Sequence, residues 1–500
     1  MSHQKLFLLL TLLMLSSVGQ AQSVQPTLSA EPDRNITVSR GGAAQAFKIT
    51  SAILKETRRI QIVLPSSYAQ SASARRYPVT VVVDGEYLMP TVAVVADELT
   101  RNGQIPESVL IGIENVGGED TLASNQKRVY DLTPPGLSVS GSDTNQGGDL
   151  FLDFIEKELL PAVDRQFRTA APRFFVGISS GGVLATYVAA TRSTYSAVVS
   201  LDAPIHLEES WLAKRLITRA GQSGRPLRYA SLEARFGWPE PLWKMLVSSA
   251  PATWKLYREK LQLEGHETMQ MVGAYIGLRQ VFGDYSRLSA PESPTTSILP
   301  YYKKLSESLG ADVIPPKRLL QNVVDDLLME GRGAAAREAY KLLSTGYGEP
   351  TDNAKLLARI EQVEKEPQPT ETVEALIATP FPKPEEVRQY LGDWVGDVWL
   401  GANSPRPGRV TLRIRVENGK VIGEVVRRNE SGEASVNPVE YLKVTPDGLT
   451  YGFMNGMRPR AMVLFEGKLT GDTLAGKKRF GGIRFEEKGP PLLFSFKRVK

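Results

Sequence analysis

The five residues Gly177-Ile178-Ser179-Ser180-Gly181 place a serine between two glycines at the spacing of a nucleophile elbow. In such a turn a strand ends, the chain reverses within one residue and a helix begins. Main chain passes main chain so closely that a side chain at either glycine position would collide with its neighbours. The serine is held in a strained conformation at a helix N-terminus, where free N–H groups and the helix dipole favour developing negative charge. Acyl transfer asks for this arrangement: an exposed hydroxyl nucleophile beside donors to an oxyanion, the N–H of Ser180 being one. The flanks agree, since Phe174-Phe175-Val176 reads as a strand and residues 182–190, rich in small side chains, as a helix.

A serine nucleophile needs a base, and the sequence holds three histidines. His3 falls in an N-terminal apolar segment, which leaves His206 and His266. Where this elbow occurs, its partners follow in the order serine, acid, histidine, with the histidine on a late loop. His266 fits: it lies in Leu263-Glu264-Gly265-His266-Glu267, ahead of a helical pattern through Met271, Tyr275, Leu278 and Phe282. His206 follows the strand ending near Leu201 too closely for an acid to intervene, and reads as a cleft or surface residue. The acid should follow a strand between Ser179 and His266. Glu233, at the end of the strand-like run 227–232, is the first choice to orient the imidazole. Asp202 is the alternative, and Glu240 a more remote one. The second oxyanion donor should follow the buried run 79–83, so the N–H of Glu86, or of Gly85, is expected there, with Asp84 a turn-former.

These residues need a scaffold. Runs 47–53, 58–64, 79–83, 108–113, 174–176 and 197–201 have strand character, while residues 151–167 carry apolar side chains at helical spacing. Buried strands alternating with helices imply an α/β domain with a mostly parallel sheet, expected over residues 22–300. Residues 312–365 turn helical, with Leu319, Val323, Leu327 and Leu328 on one face and Gly331 as a stop. This hairpin is similar to a single tetratricopeptide unit and reads as a linker or brace. Residues 366–384, rich in Pro, Thr and Glu, read as an irregular connection. From 385 to 500 short alternating runs are separated by turns such as Glu417-Asn418-Gly419 and Gly471-Asp472, so a small antiparallel β-barrel is expected. Its opening Gly392-Asp393-Trp394 and closing Phe494-Ser495-Phe496-Lys497-Arg498 resemble the ends of lipocalin-like accessory domains.

Composition narrows the class. At 500 residues the chain exceeds what one core organises, and 42% apolar with 23% charged residues is ordinary for globular proteins. The net charge of +5, from 60 basic and 55 acidic residues spread along the chain, gives no footprint for nucleic acid. Lys5, the apolar run 6–15 and small residues up to Ala21 read as a signal peptide, residues 1–21, and hence as export to the periplasm or beyond. The run is too short for a stable membrane span. The absence of cysteine rules out disulfides, cysteine nucleophiles and cysteine-ligated metals, and two usable histidines give metal catalysis little to build on. No metal and no cofactor is expected.

Taken in order, several strings resemble the putative esterase family of α/β-hydrolases, with its enterochelin esterase-like and S-formylglutathione hydrolase-like members. They are Tyr77-Pro78-Val79 through Asp84-Gly85-Glu86, Ile111-Gly112-Ile113-Glu114-Asn115, Arg128 with Asp131-Leu132-Thr133-Pro134, and residues 151–161. The elbow and Gly265-His266 complete the series. The resemblance implies an α/β-hydrolase fold and a serine hydrolase of carboxylic esters, acting through an acyl-enzyme on a small-molecule or polysaccharide-linked ester. Gly85, Asn115 and Ile178 are expected at the pocket. Family members usually carry His and an aromatic where this chain has Ile178 and Ser180, so substrate preference does not carry over. Acyl transfer or peptide cleavage on the same fold, and a catalytically silent binding or scaffold role, are the alternatives.

Overall fold

The computed structural model describes residues 25–32, 44–69, 75–116, 122–137, 146–222, 224–286, 298–309, 312–348, 353–366, 371–398, 408–428, 434–446, 448–454, 461–481 and 492–499. The expected signal peptide, 1–21, lies outside them. Among the described residues nine strands form the first sheet: β1 Ser29–Ala30, β2 Ala44–Ser51, β3 Glu56–Val63, β4 Tyr77–Val83, β5 Val109–Ile113, β6 Thr169–Ile178, β7 Tyr195–Leu201, β8 Leu227–Glu233 and β9 Trp254–Lys260. Their order is β1-β2-β3-β5-β4-β6-β7-β8-β9. The first three and the β3–β5 pair run antiparallel, and β5 through β9 run parallel. The sheet is therefore mixed, with its parallel part under the elbow.

Both faces of that parallel part are covered. Along β4, Val79, Val81 and Val83 join Phe175 and Val198 beneath the helices Ser180–Thr191 and Leu207–Gln222. Val82, Phe174, Val176, Val199 and Leu232 face the other way, onto the helices Gly85–Arg101 and Met269–Val281. This period-two division of a uniformly buried run is what two packed faces demand.

The second-face cluster does not stop at residue 300. It continues through Tyr302 and Leu305 into Leu320, Val323, Leu327, Leu343 and Ile360, from the helices Lys317–Met329, Gly333–Tyr347 and Asn353–Lys365. Polar ties cross the same seam. Arg228 on β8 donates to Ser308 Oγ at 2.9 Å, and the Arg75 guanidinium lies 4.3 Å from the ring centres of both Tyr77 and Tyr347. The helical segment is thus an added layer of the α/β unit.

The second sheet comprises β10 Gly392–Val398, β11 Gly408–Glu417, β12 Lys420–Arg428, β13 Ala434–Pro438, β14 Tyr441–Thr445, β15 Gly448–Met454, β16 Met462–Thr470, β17 Thr473–Gly481 and β18 Leu492–Arg498. Its order, β13-β12-β11-β10-β18-β17-β16-β15-β14, is antiparallel throughout. The edge strands β13 and β14 are consecutive in the chain. Between them Val439 N donates to Gly423 O on β12, and Glu440 N donates to Gly452 O on β15, each at 2.8 Å. The sheet curls until one segment serves both edges. Trp394 is fully buried at its start, donates from Nε1 to Tyr390 O at 2.8 Å, and carries the Arg498 guanidinium 4.6 Å above its ring.

The connection before this sheet departs from expectation. Residues Val373–Ile377 form a short helix because Thr372 caps it, its Oγ1 accepting from Ala375 N at 3.1 Å. Leu376 packs with Met462 and Leu464, and Arg479 binds both carboxylate oxygens of Glu371, so the segment is held against the outside of the curled sheet. No helix among the described residues is long and apolar enough to cross a membrane.

Candidate active site

Strand β6 delivers Ser179 to the C-terminal edge of the sheet, and the helix Ser180–Thr191 starts at the next residue. Ser179 has φ 57° and ψ −122°, a region that costs a non-glycine residue roughly 1–3 kcal/mol. Its N–H donates to Leu201 O on β7 at 2.9 Å, and its carbonyl accepts from Val183 N at 2.9 Å. The flanking glycines are sterically required: a Cβ on Gly177 would stand 2.1 Å from Gly181 O, and one on Gly181 would stand 2.9 Å from Val83 Cγ2. Gly182 belongs to the same constraint, since its Cβ would meet Leu201 O at 2.8 Å. At the first helical position the Ser180 N–H has no intrahelical acceptor, which leaves it available to an oxyanion.

His266 sits in the loop between β9 and the helix Met269–Val281, and its Nδ1 lies 2.6 Å from Asp202 Oδ2. Asp202 follows β7 directly, is fully buried and adopts φ 44°. Its other oxygen, Oδ1, accepts from Ala234 N at 2.8 Å and Phe236 N at 2.7 Å. Three donors fix this carboxylate and so fix the imidazole. Phe236 presses on His266 edge to face with ring centres 5.6 Å apart, and the exposed His206 ring stacks on Phe236 at 6.0 Å.

Glu233, the first choice for the acid, is not brought to His266. Its Oε1 accepts from Trp238 N at 2.9 Å and Arg258 Nε at 2.8 Å, and its Oε2 accepts from a terminal nitrogen of Arg258 at 3.0 Å. The reason is strand alternation. Leu232 points to the face that holds the Met269–Val281 helix, so Glu233 points to the opposite one, among Trp238 and Tyr229. Glu240 is also engaged by Arg258, at 2.6 Å, and is exposed. Ile178, expected at the pocket wall, is instead 2% exposed and packs in the core with Leu201, Leu232 and Met269.

Opposite the histidine, β4 ends at Val83, and Asp84 enters the helix Gly85–Arg101 in the left-handed region, at φ 55°. Gly85 is pressed against β5, where a Cβ would stand 2.7 Å from Ile113 N. Asp84 does more than form the turn. Fully buried, it accepts from Arg128 Nε at 2.6 Å and from a terminal Arg128 nitrogen at 2.8 Å, from Asn115 Nδ2 at 2.8 Å and from the Tyr87 hydroxyl at 3.1 Å. These contacts hold Arg128 charged against its desolvation, and burial beside Asp84 pushes the Tyr87 hydroxyl well above the phenol range. A Cβ on Gly181 would stand 3.1 Å from Asp84 Oδ2, so this cluster abuts the elbow. Glu86 follows, half-buried. Its carboxylate accepts from Asn115 Nδ2 at 2.6 Å, from Asn115 N at 3.1 Å and from its own N–H. Desolvation raises its pKa, and the neighbouring Asp84 charge adds to the rise. The anchoring of this loop by Arg128 escaped residue-level reading, because nothing local links a helix at 122–132 to a turn at 84.

Residues 51–272 match the family model described as "Putative esterase". The chain is 30% identical over 137 residues to the siderophore triacetylfusarinine C esterase of Aspergillus fumigatus, an alignment covering 27% of this chain and 46% of that protein's length. It is also similar to the crystal structure of an IroE-like serine hydrolase from Shewanella oneidensis. That match has 27% identity and a TM-score of 0.51, and covers 60% of this chain and 99% of the other.

Proposed function

We propose, from the match of residues 51–272 to the putative esterase model, that this chain is an exported serine hydrolase that cleaves carboxylic esters through Ser179, His266 and Asp202. The observation that carries the reading is the 2.6 Å contact of His266 Nδ1 with buried Asp202, the residue after Leu201, whose carbonyl accepts from the N–H of the elbow serine Ser179. In this mechanism Ser179 Oγ attacks the ester carbonyl while His266 Nε2 takes its proton. Asp202 holds the imidazole in the tautomer that exposes Nε2 and balances the imidazolium that forms. The N–H groups of Ser180 and Glu86 receive the oxyanion, the alcohol leaves with the proton from His266, and water then hydrolyses the acyl-enzyme.

The fungal relative's name directs the first substrates to siderophore-type esters. The Lys5-to-Ala21 pattern supports export, and the curled C-terminal sheet, with Trp394 buried at one end, supports a lipocalin-like accessory domain. The test is hydrolysis of short-chain, feruloyl and siderophore esters by the purified full chain, together with Ser179→Ala. Saturable turnover that Ser179→Ala abolishes supports the reading. Turnover that survives the substitution, or no turnover of any ester, refutes it.

A further inference from the structure

We infer that Glu86 selects esters carrying a positive charge on the carbon next to the scissile carbonyl, an α-amino ester being the simplest, by receiving that charge on a carboxylate that otherwise occupies an oxyanion donor. The inference rests on the Ser179 hydrolase reading and goes beyond it to substrate class.

Charge balance around the loop carries the argument. The two acidic residues here are not equivalent. Asp84 is bound through both oxygens by Arg128, so that guanidinium is committed. Glu86 has only uncharged donors, namely the backbone and side-chain amides of Asn115 and its own N–H, and no cation contacts it among the described residues. It is half-buried, so it has lost part of its hydration yet remains partly open to solvent. A partly desolvated, unpaired carboxylate draws either a proton or a cationic partner, and burial already pushes Glu86 in the first direction. Its position decides what the partner would be. β4 and β6 are hydrogen-bonded neighbours, and a Cβ on Gly181 would stand 3.1 Å from Asp84 Oδ2, so the turn that carries Glu86 abuts the turn that carries Ser179.

The N–H of Glu86 links recognition to turnover. While the carboxylate accepts that N–H, an oxyanion must compete with an anion for the same donor. An ammonium on the acyl α-carbon gives the carboxylate a better partner and releases the N–H to the carbonyl oxygen. Part of the preference therefore appears in kcat, since the released donor acts where charge develops.

The experiment compares p-nitrophenyl esters of alanine and of isobutyrate, which differ by an ammonium in place of a methyl group. It uses the full-length protein at about pH 6.5, where an α-amino group is charged. Each rate is taken relative to spontaneous hydrolysis of the same ester. The expected result for the wild type is a preference of about tenfold or more in kcat/KM for the alanine ester, the size of one charge-assisted hydrogen bond, partly expressed in kcat. In Glu86→Gln that ratio falls to near unity. Thermal melting verifies that the variant is folded, and Glu86→Ala serves as the second variant, with the same loss of ratio expected. Equal turnover of the two esters by the wild type, or a preference that survives in both variants, overturns the inference and leaves the hydrolase reading standing. No turnover of either ester, with no probe labelling of Ser179, overturns both.

Discussion

Asp202 and Glu233 stand level at the ends of neighbouring parallel strands, since Leu201 pairs with Leu232 and Asp202 N donates to Leu232 O at 2.7 Å. Their carboxylates nevertheless meet different partners, His266 for one and Arg258 for the other. Asp202→Asn removes the anion that orients the imidazole and is expected to lower kcat by about 10⁴-fold, whereas Glu233→Gln keeps turnover within a few-fold at lower stability. Steady-state kinetics on one ester decides between them, and the opposite ranking contradicts the assignment. At Glu86 the sign of the pH effect follows from burial. Its folded pKa lies above the ordinary 4.5, so ionisation costs the native state more than the unfolded one. Stability attributable to this group is complete below pH 4.5 and is lost as pH rises through the raised value. The melting temperature of the wild type should therefore fall relative to that of Glu86→Gln across that rise. A difference that does not change with pH would contradict this.

Among the elements, the elbow was legible because its physics is local. Three close approaches, at Gly177, Gly181 and Gly182, exclude any Cβ, and glycine spacing writes that directly into the sequence. Gly177→Ala should destabilise the protein beyond the usual range of point mutations, by more than about 4 kcal/mol, because the new Cβ meets backbone that cannot move aside. Denaturant titration measures it. The acid was not legible, since the face that a strand-end residue takes depends on the register of its neighbours and on whether the chain leaves the β region. Asp202 does so at φ 44°, while Glu233 remains within β8. Strand β9, Trp-Lys-Leu-Tyr-Arg-Glu-Lys, was hidden for another reason. It is the edge of the sheet, so its alternating charges look like surface, although Arg258 within it holds Glu233.

At the scale of the whole molecule, the change of pattern near residue 312 marks a change of secondary structure and no break in the core. Val199 of the sheet and Leu327 of the helical segment belong to one cluster. Leu327→Ala should accordingly cost about 2–5 kcal/mol and lower the melting of the α/β unit itself. A separate low-temperature transition for the helical segment would contradict that. The curled C-terminal sheet has its own core around Trp394, Tyr451 and Phe465. Trp394→Ala, costing about 3–5 kcal/mol, should move only a second calorimetric transition. The role of Ser179 as nucleophile is tested by labelling with a fluorophosphonate probe followed by peptide mapping. One adduct is expected, on Ser179, absent in Ser179→Ala, strongly slowed in His266→Ala and Asp202→Asn, and unchanged in Glu233→Gln. An adduct elsewhere, or labelling that persists in Ser179→Ala, would contradict it.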